Sequence, residues 1–318
     1  MHSHDRSTHA AGGGRTPAPI ALFTYNRPVH TRRTIEALQD NALAPESELF
    51  IFSDGLRSAA DRAAVEEVRD YLKGIGGFRR VSVIERGKNM GLAASIIAGV
   101  SEIVTRYGKI IVLEDDMVTS PFFLTYMNDA LTLYEQEDRV ISIHAYVYPV
   151  AERLPETFFL RGADCWGWST WKRGWDLFDP DGAKLLDQLK KQRLQRLFDF
   201  SGTYPYMRML KWQVKGTVDS WAIRWYASAL LAGKLTLYPG RPLVSNIGHD
   251  ASATHCVPTD SFDVQLSGDP IHVDRIPVED HAGARQAFER YFRATRQSFV
   301  KRAARKLKRI LSKGATCP

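Results

Sequence analysis

Short branched and aromatic runs alternate with amphipathic stretches over the first half of the chain, and the alternation predicts its elements. "PIALFTYNRP" reads as a strand from Ile20 to about Tyr25, broken by Asn26-Arg27-Pro28. A helix follows, with Ile35 and Leu38 apolar among polar neighbours. "ELFIFSDG" is a second strand ending at Asp54-Gly55. "SAADRAAVEEVRDYLKGIGG" is a helix that turns Ala63, Val65, Val68 and Leu72 inward and closes at Gly74. "VSVIERGKNMGL" supplies a third strand and its turn, and "AASIIAGVSEIVTRYG" a helix ending at Gly108. "KIIVLEDD" is the fourth strand. Ser120 and Pro121 are expected as N-cap and first residue of the helix in "FFLTYMNDALTLY", and "RVISIHAY" makes a fifth strand.

Strands alternating with helices of this length imply right-handed crossovers and an α/β fold with a doubly wound, mainly parallel sheet. Ligands of such sheets bind beyond the carboxyl ends of the strands. Arg27, Asp54, Asn89 and the acids Glu114, Asp115 and Asp116 all fall just past successive strand ends, so they are expected to converge on one crevice. No GxGxxG or GxxxxGK[ST] loop follows any strand, which argues against a Rossmann dehydrogenase or a P-loop enzyme.

After Tyr148 the rhythm changes. "LRGADCWGWSTWKRGWDLF" packs four tryptophans into ten residues, more than a simple core is expected to use. A helical region from Lys184 to Lys215 follows, then a helix from about Trp221 to Leu231, a short strand and the loop "GHDASATH". With no internal repeat and no linker before it, this half is expected to build on the first sheet. The predicted organisation is a leader over 1–19, a catalytic domain over 20–265, a linker over 266–284 and a helical tail over 285–318.

Charge changes this picture only locally. The formal net charge is +7, but from Arg285 to Lys313 eleven basic residues face one acid, Glu289, which leaves −3 for the remainder. Basicity is a property of the tail, where Phe288, Phe292, Phe299, Ala303, Leu307 and Ile310 share one helical face. A basic amphipathic helix of this kind suits an anionic membrane surface; the alternative is a solvated helix packed on the domain. Nucleic acid is not an expected partner, because the body is slightly acidic. The first nineteen residues lack apolar periodicity and read as a disordered leader. No apolar h-region and no run of about 18 apolar residues is present, and Cys165, Cys256 and Cys317 are sparse and unmatched to zinc or CxxC spacing. Both features suit a cytoplasmic protein, peripheral on the cytoplasmic membrane face if the tail binds lipid.

The triplet Glu114-Asp115-Asp116 is the strongest chemical signal. Three adjacent carboxylates at a strand end either attract a hard divalent cation such as Mn2+ or Mg2+, or cap a turn and pair with nearby Lys or Arg. Read with its neighbours the pattern becomes specific. "ALFTYNRP", "FSDG", "NMGLAASI", "LEDDMVTSPFF", "CWGWSTWKRGWD", "DSWAIRWY" and "GHDASATH" run in the order found in GT-A glycosyltransferases. The chain is particularly similar to the EDD-motif N-acetylglucosaminyltransferases and to family-2-like bacterial sugar transferases, over roughly Pro19 to His255.

That resemblance implies a role for each matching position. Arg27 and Asp54 match nucleotide contacts, the aspartate at the uracil edge, and Asn89 and Gly91 line the sugar-donor site. Asp116 matches the carboxylate that binds Mn2+, and Glu114 and Asp115 match acids facing ribose and sugar hydroxyls. Asp219 of "DSW" matches the catalytic base of "DDW", with Ser220 standing where the relatives have a second acid. Apart from the resemblance, the small-residue loop after the last strand reads either as a lid carrying His255, from which His249 is expected to touch diphosphate or metal, or as a loop whose histidines are structural. Trp166 and Trp168, with Trp171 beside them, offer a stacking platform for the acceptor.

The function implied is metal-dependent, inverting transfer of a sugar, GlcNAc-type by the likeness to EDD-motif enzymes, from a UDP-sugar to a saccharide or lipid-linked acceptor in bacterial surface-glycan synthesis. Two other readings stand beside it. A sugar-phosphate nucleotidyltransferase also needs paired acids, but "TYNRPVHTRR" lacks its glycine-rich loop. A non-catalytic carbohydrate-binding relative has no need of an intact EDD and Asp219.

Overall fold

The alternating pattern becomes one large sheet in the computed structural model, which describes residues 16–249 and 260–296. The first half runs β1 (Ile20–Thr24), α1 (Pro28–Gln39), β2 (Glu48–Ser53), α2 (Arg62–Leu72), β3 (Arg80–Glu85), α3 (Leu92–Tyr107), β4 (Lys109–Glu114), β5 (Met117–Thr119), α4 (Phe123–Leu133) and β6 (Val140–His144). The second half continues with β7 (Thr157–Arg161), β8 (Trp168–Trp171), α5 (Lys172–Trp175), α6 (Gly182–Lys191), α7 (Gln195–Phe198), α8 (Tyr206–Val214), α9 (Trp221–Leu231), β9 (Leu235–Pro239) and β10 (Val244–Asn246). A further helix occupies 282–296.

Eight strands lie in the order β3-β2-β1-β4-β8-β6-β9-β7, while β5 and β10 form a separate ribbon. The pairs β1–β2, β2–β3, β1–β4 and β6–β9 are parallel; β8 is antiparallel to both neighbours and β7 to β9. This is the mainly parallel α/β architecture expected of a GT-A fold. Register explains the crevice. Thr24 stands level with Ser53, Ser53 with Glu85, and Phe23 with Glu114, so four strands end on one line. Alternation then fills both faces: Ile20 and Leu22 pack with Ile35 and Leu38 of α1, and Ala21 and Phe23 with Ile96 and Val100 of α3.

Three expectations are corrected. Ser120 does not cap α4. The β5–β10 ribbon draws it away, its N–H donating to Leu243 O and its hydroxyl to Ser267 O, and the helix starts at Phe123.

The tryptophans are largely core. β8 lies between β4 and β6 with elements packed on both faces, so all four of its residues are buried. Trp168, 0% exposed, stacks on Trp221 at 5.3 Å and packs against Trp175 and Trp225 at 5.8 Å. Trp171 is buried on the opposite face, its indole N–H donating to Leu131 O. Trp168 is therefore no sugar platform. Trp168→Ala is expected to cost about 3–5 kcal/mol of stability, measured by denaturant unfolding. A loss below about 1 kcal/mol would contradict the packing.

Finally, 266–284 is no free linker, nor does 285–296 stand apart from the domain. Ile271 is buried, His281 N donates to Phe159 O, and Asp280 bridges Phe159 in parallel fashion. Phe288 and Phe292 are buried against Tyr148, ring centroids 5.0 and 4.7 Å away. Burying two such rings contributes about 3–6 kcal/mol. The rest of the basic run, including Phe299, Ala303, Leu307 and Ile310, lies outside the described residues, as do Cys256, Cys317 and His255. No helix among the described residues is long and apolar enough to cross a membrane.

Candidate functional site

Beyond the aligned strand ends lies a cavity of about 430 Å3, walled by Arg27, Asp54, Asn89, Gly91, Glu114, Asp115, Asp116, Trp166 and His249. Its size is that of a small-molecule site. Each wall has a local cause. At the end of β1, Pro28 starts α1 with the pre-set φ of a first helical residue, which leaves Arg27 on the rim. Its Nη1 donates to Asp116 Oδ2 at 2.8 Å, and its Nη2 lies 2.8 Å from His30 Nε2.

Asp54, expected at a nucleobase edge, lines the cavity. Its carboxylate accepts from the backbone N–H groups of Gly55, Met90 and Gly91 at 2.9–3.2 Å, capping the approach to α3. Asn89 completes the clasp, its Nδ2 donating to Gly55 O. The contact is so close that a Cβ on residue 55 would lie 2.4 Å from the Lys88 carbonyl carbon, which only glycine avoids. Asp54 and Asn89 thus hold the turn that forms this wall.

The acids crowd at the centre. Glu114 is pushed up to about 8, first by burial and then by the charges of Asp116 and Asp115, with a hydrogen bond from Trp221 opposing. Asp115 is pushed up to about 7 by burial and the Asp116 charge, opposed by Arg27 and by the Tyr25 backbone N–H. This is the strain of like charges without enough positive compensation. Glu114→Gln keeps an oxygen for the Trp221 indole while removing one charge. The metal-free variant is expected to melt a few degrees above the wild type at pH 8, by thermal denaturation, equivalent to on the order of 1 kcal/mol.

The β5–β10 ribbon brings a distant segment to Asp116. Asn246 pairs with Met117, Ile247 N donates to Asp116 O, and Asn246 Oδ1 accepts from Gly248 N. A Cβ on residue 248 would sit 1.9 Å from Asp116 Oδ2, so the carboxylate lies in a cradle that only glycine leaves open. Asp116 Oδ1 and His249 Nε2 are both buried without a hydrogen-bond partner among the described residues. Burial holds the His249 imidazole below its ordinary pKa, against the pull of Asp116, which favours the neutral form that ligates metals. No three His, Cys, Asp or Glu side chains among the described residues form a metal cage. One or two protein ligands are nonetheless what a hard cation sharing its shell with a diphosphate requires. The residues present fit such an ion.

Asp219 is not drawn into the cavity wall. Its side chain is 67% exposed and ion-paired to Arg224 at 3.3 Å, on the loop before α9 that Ser220 caps through Ile223 N. Two residues on, Trp221 is buried and meets Glu114, so Asp219 stands at the rim. Sequence reasoning also missed a group at the mouth: Tyr25, Asn26, Arg57 and Asp61. Asn26 Nδ2 donates to Asp61 Oδ1 and Arg57 N to the Tyr25 hydroxyl. The "TYN" at the end of β1 offered a cue for two of them, and Asp61 closes a capping box with Ser58, a helix-start signal that says nothing of a cavity.

Residues 20–172, just under half of the chain, match the family described as Glycosyl transferase family 2. No curated protein matches the chain in sequence. Among solved structures it is similar to the mannosyltransferase PcManGT from Pyrobaculum calidifontis in complex with GDP-Man and Mn2+, at 11% identity and a TM-score of 0.31 over 42% of this chain and 36% of that one. It is also similar to S. aureus TarS 1–349, at 12% identity and a TM-score of 0.33 over 56% of this chain and 49% of that one. The chain thus spans less than half the length of either structure.

Proposed function

Proceeding from the glycosyltransferase family 2 domain over residues 20–172, we propose that this protein transfers a sugar from a uridine diphosphate donor to a hydroxyl of a saccharide or lipid-linked acceptor, with inversion. The observation that carries this reading is the pairing of an unpartnered buried carboxylate oxygen, Asp116 Oδ1, with an unpartnered buried imidazole nitrogen, His249 Nε2, across one cavity. Asp116 and His249 would hold Mn2+ or Mg2+. When bound, such an ion supplies Lewis-acid stabilisation of the diphosphate leaving group.

The chain's own residues do the rest. The nucleoside lies against the turn that Asp54 and Asn89 brace, its backbone clasp leaving Gly91 and Ser95 to face the ligand. Arg27, released from Asp116, is close enough to follow the negative charge of the diphosphate. Glu114 and Asp115 exchange hydrogen bonds with ribose and sugar hydroxyls, a carboxyl that keeps its proton donating through its O–H and accepting at its other oxygen. Asp219, open to solvent at the rim, takes the proton of the attacking acceptor hydroxyl. The basic run past residue 296 keeps its proposed role at an anionic membrane surface on the cytoplasmic side.

A panel of nucleotide sugars tests the reading, with thermal shift and UDP release followed with and without Mn2+. Stabilisation by a UDP-sugar together with UDP release is the expected result. Indifference to every nucleotide sugar would overturn it.

A further inference from the structure

The loop from β7 to β8 carries a further carboxylate close to the cavity. Asp164 lies two residues before Trp166, whose ring is part of the cavity wall. Its side chain is 22% exposed, and among the described residues no Lys or Arg pairs with it. Oδ1 accepts from the Cys165 backbone N–H at 2.9 Å, and Tyr238 hydrogen-bonds the carboxylate. Oδ2 lies 3.6 Å from Nε2 of His144, a fully buried imidazole with neither nitrogen hydrogen-bonded among the described residues. Burial holds His144 below its ordinary pKa, against the pull of Asp164.

Rings surround this carboxylate. His144 lies edge-on to Tyr238 at 5.0 Å and to Tyr146 at 6.4 Å, and Tyr146 in turn meets Trp166 at 4.7 Å. The chain reaches Asp164 through Gly162, at φ 100°, where a Cβ would lie 2.2 Å from the Tyr226 ring. That passage fixes where the loop can run. Asp164 is therefore a rigidly placed anion with one edge open beside the proposed sugar-donor site. A stabilising surface ion pair would have supplied a Lys or Arg, and none pairs with it among the described residues.

We propose that Asp164 is an acceptor-binding residue, its carboxylate receiving hydroxyl hydrogen bonds from a saccharide whose C–H face rests on Trp166. Hydroxyl-to-carboxylate hydrogen bonds are among the strong ones, and an aromatic ring favours the apolar face of a sugar. The assignment rests on the transferase reading and divides labour on the acceptor side. Asp164 binds and orients, and Asp219 stays free to take a proton.

Saturation-transfer NMR tests this with the methyl glycosides of glucose, galactose, mannose and N-acetylglucosamine, in the presence of UDP and Mn2+. At least one glycoside is expected to bind the wild type, and Asp164→Asn to weaken it about tenfold or more. UDP affinity and melting temperature should change little in that variant. Asp164→Glu, which keeps the charge, should recover part of the saccharide affinity, as a packing role would not. Equal saccharide signals in wild type and Asp164→Asn overturn the assignment, as does silence from every glycoside on a wild type that binds UDP. Failure to bind UDP at all would instead strike the transferase reading.

Discussion

Asp116→Asn is expected to lower sugar transfer by about a thousandfold or more and to abolish the stabilisation expected of UDP with Mn2+ on the wild type. Asparagine keeps the shape and removes the charge. The expected loss follows from electrostatic stabilisation worth several kcal/mol at a diphosphate leaving group, about 1.36 kcal/mol for each factor of ten. A second consequence is structural. Arg27, whose side chain is only 15% exposed, loses its charged partner while Glu114 and Asp115 lose a repelling one, so the melting temperature without ligand should move little. Calorimetric titration of UDP with and without Mn2+, beside steady-state UDP release, checks both. Turnover and manganese dependence that survive unchanged would remove Asp116 from the site.

Asp219→Asn should separate chemistry from binding. With the base gone, turnover is expected to fall ~10²–10⁴-fold while UDP affinity stays within about twofold, because the residue lies outside the cavity wall. Its ion pair with Arg224 is solvent-exposed on the aspartate side, and Arg224 keeps hydrogen bonds to Ser220 O and Pro180 O. Stability should therefore move by less than about 1 kcal/mol. A matching fall in UDP affinity would show that Asp219 acts on the sugar donor instead. An unaltered turnover would remove Asp219 from that role and leave the base to a carboxylate of the cavity wall.

Together these substitutions explain why the acidic triplet tolerates its own repulsion. Arg27 partly offsets the charge in the metal-free protein, and Glu114 and Asp115 meet the remainder by holding protons more tightly than exposed acids do. The arrangement gives up stability at the place where a cation is proposed to bind.

Much of this was legible in the order of residues. Strand and helix periodicity placed β1 to β4 and α1 to α3 because each strand is short, apolar and bounded by Gly, Asn or Pro. In a parallel sheet that alone lines up Arg27, Asp54, Asn89 and Glu114 at one edge. The positions that periodicity could not assign depend on partners far along the chain. Trp168 and Trp171 read as surplus aromatics until β8 proved to be an interior antiparallel strand covered on both faces. Ser120 and Pro121 carry a helix-start signal that pairing between β5 and β10 overrides.

What the sequence determined by itself is the register of polar and apolar positions, hence the sheet and the row of chemically active residues at its end. Tertiary structure alone decided which of them meet. His249 reaches Asp116 through a ribbon joining segments more than a hundred residues apart, Asp54 turns toward backbone amides, and Asp219 remains at the rim. The reason is physical: local propensity acts over a few residues, whereas burial and hydrogen-bond satisfaction are settled by whichever distant groups the folded chain brings into contact.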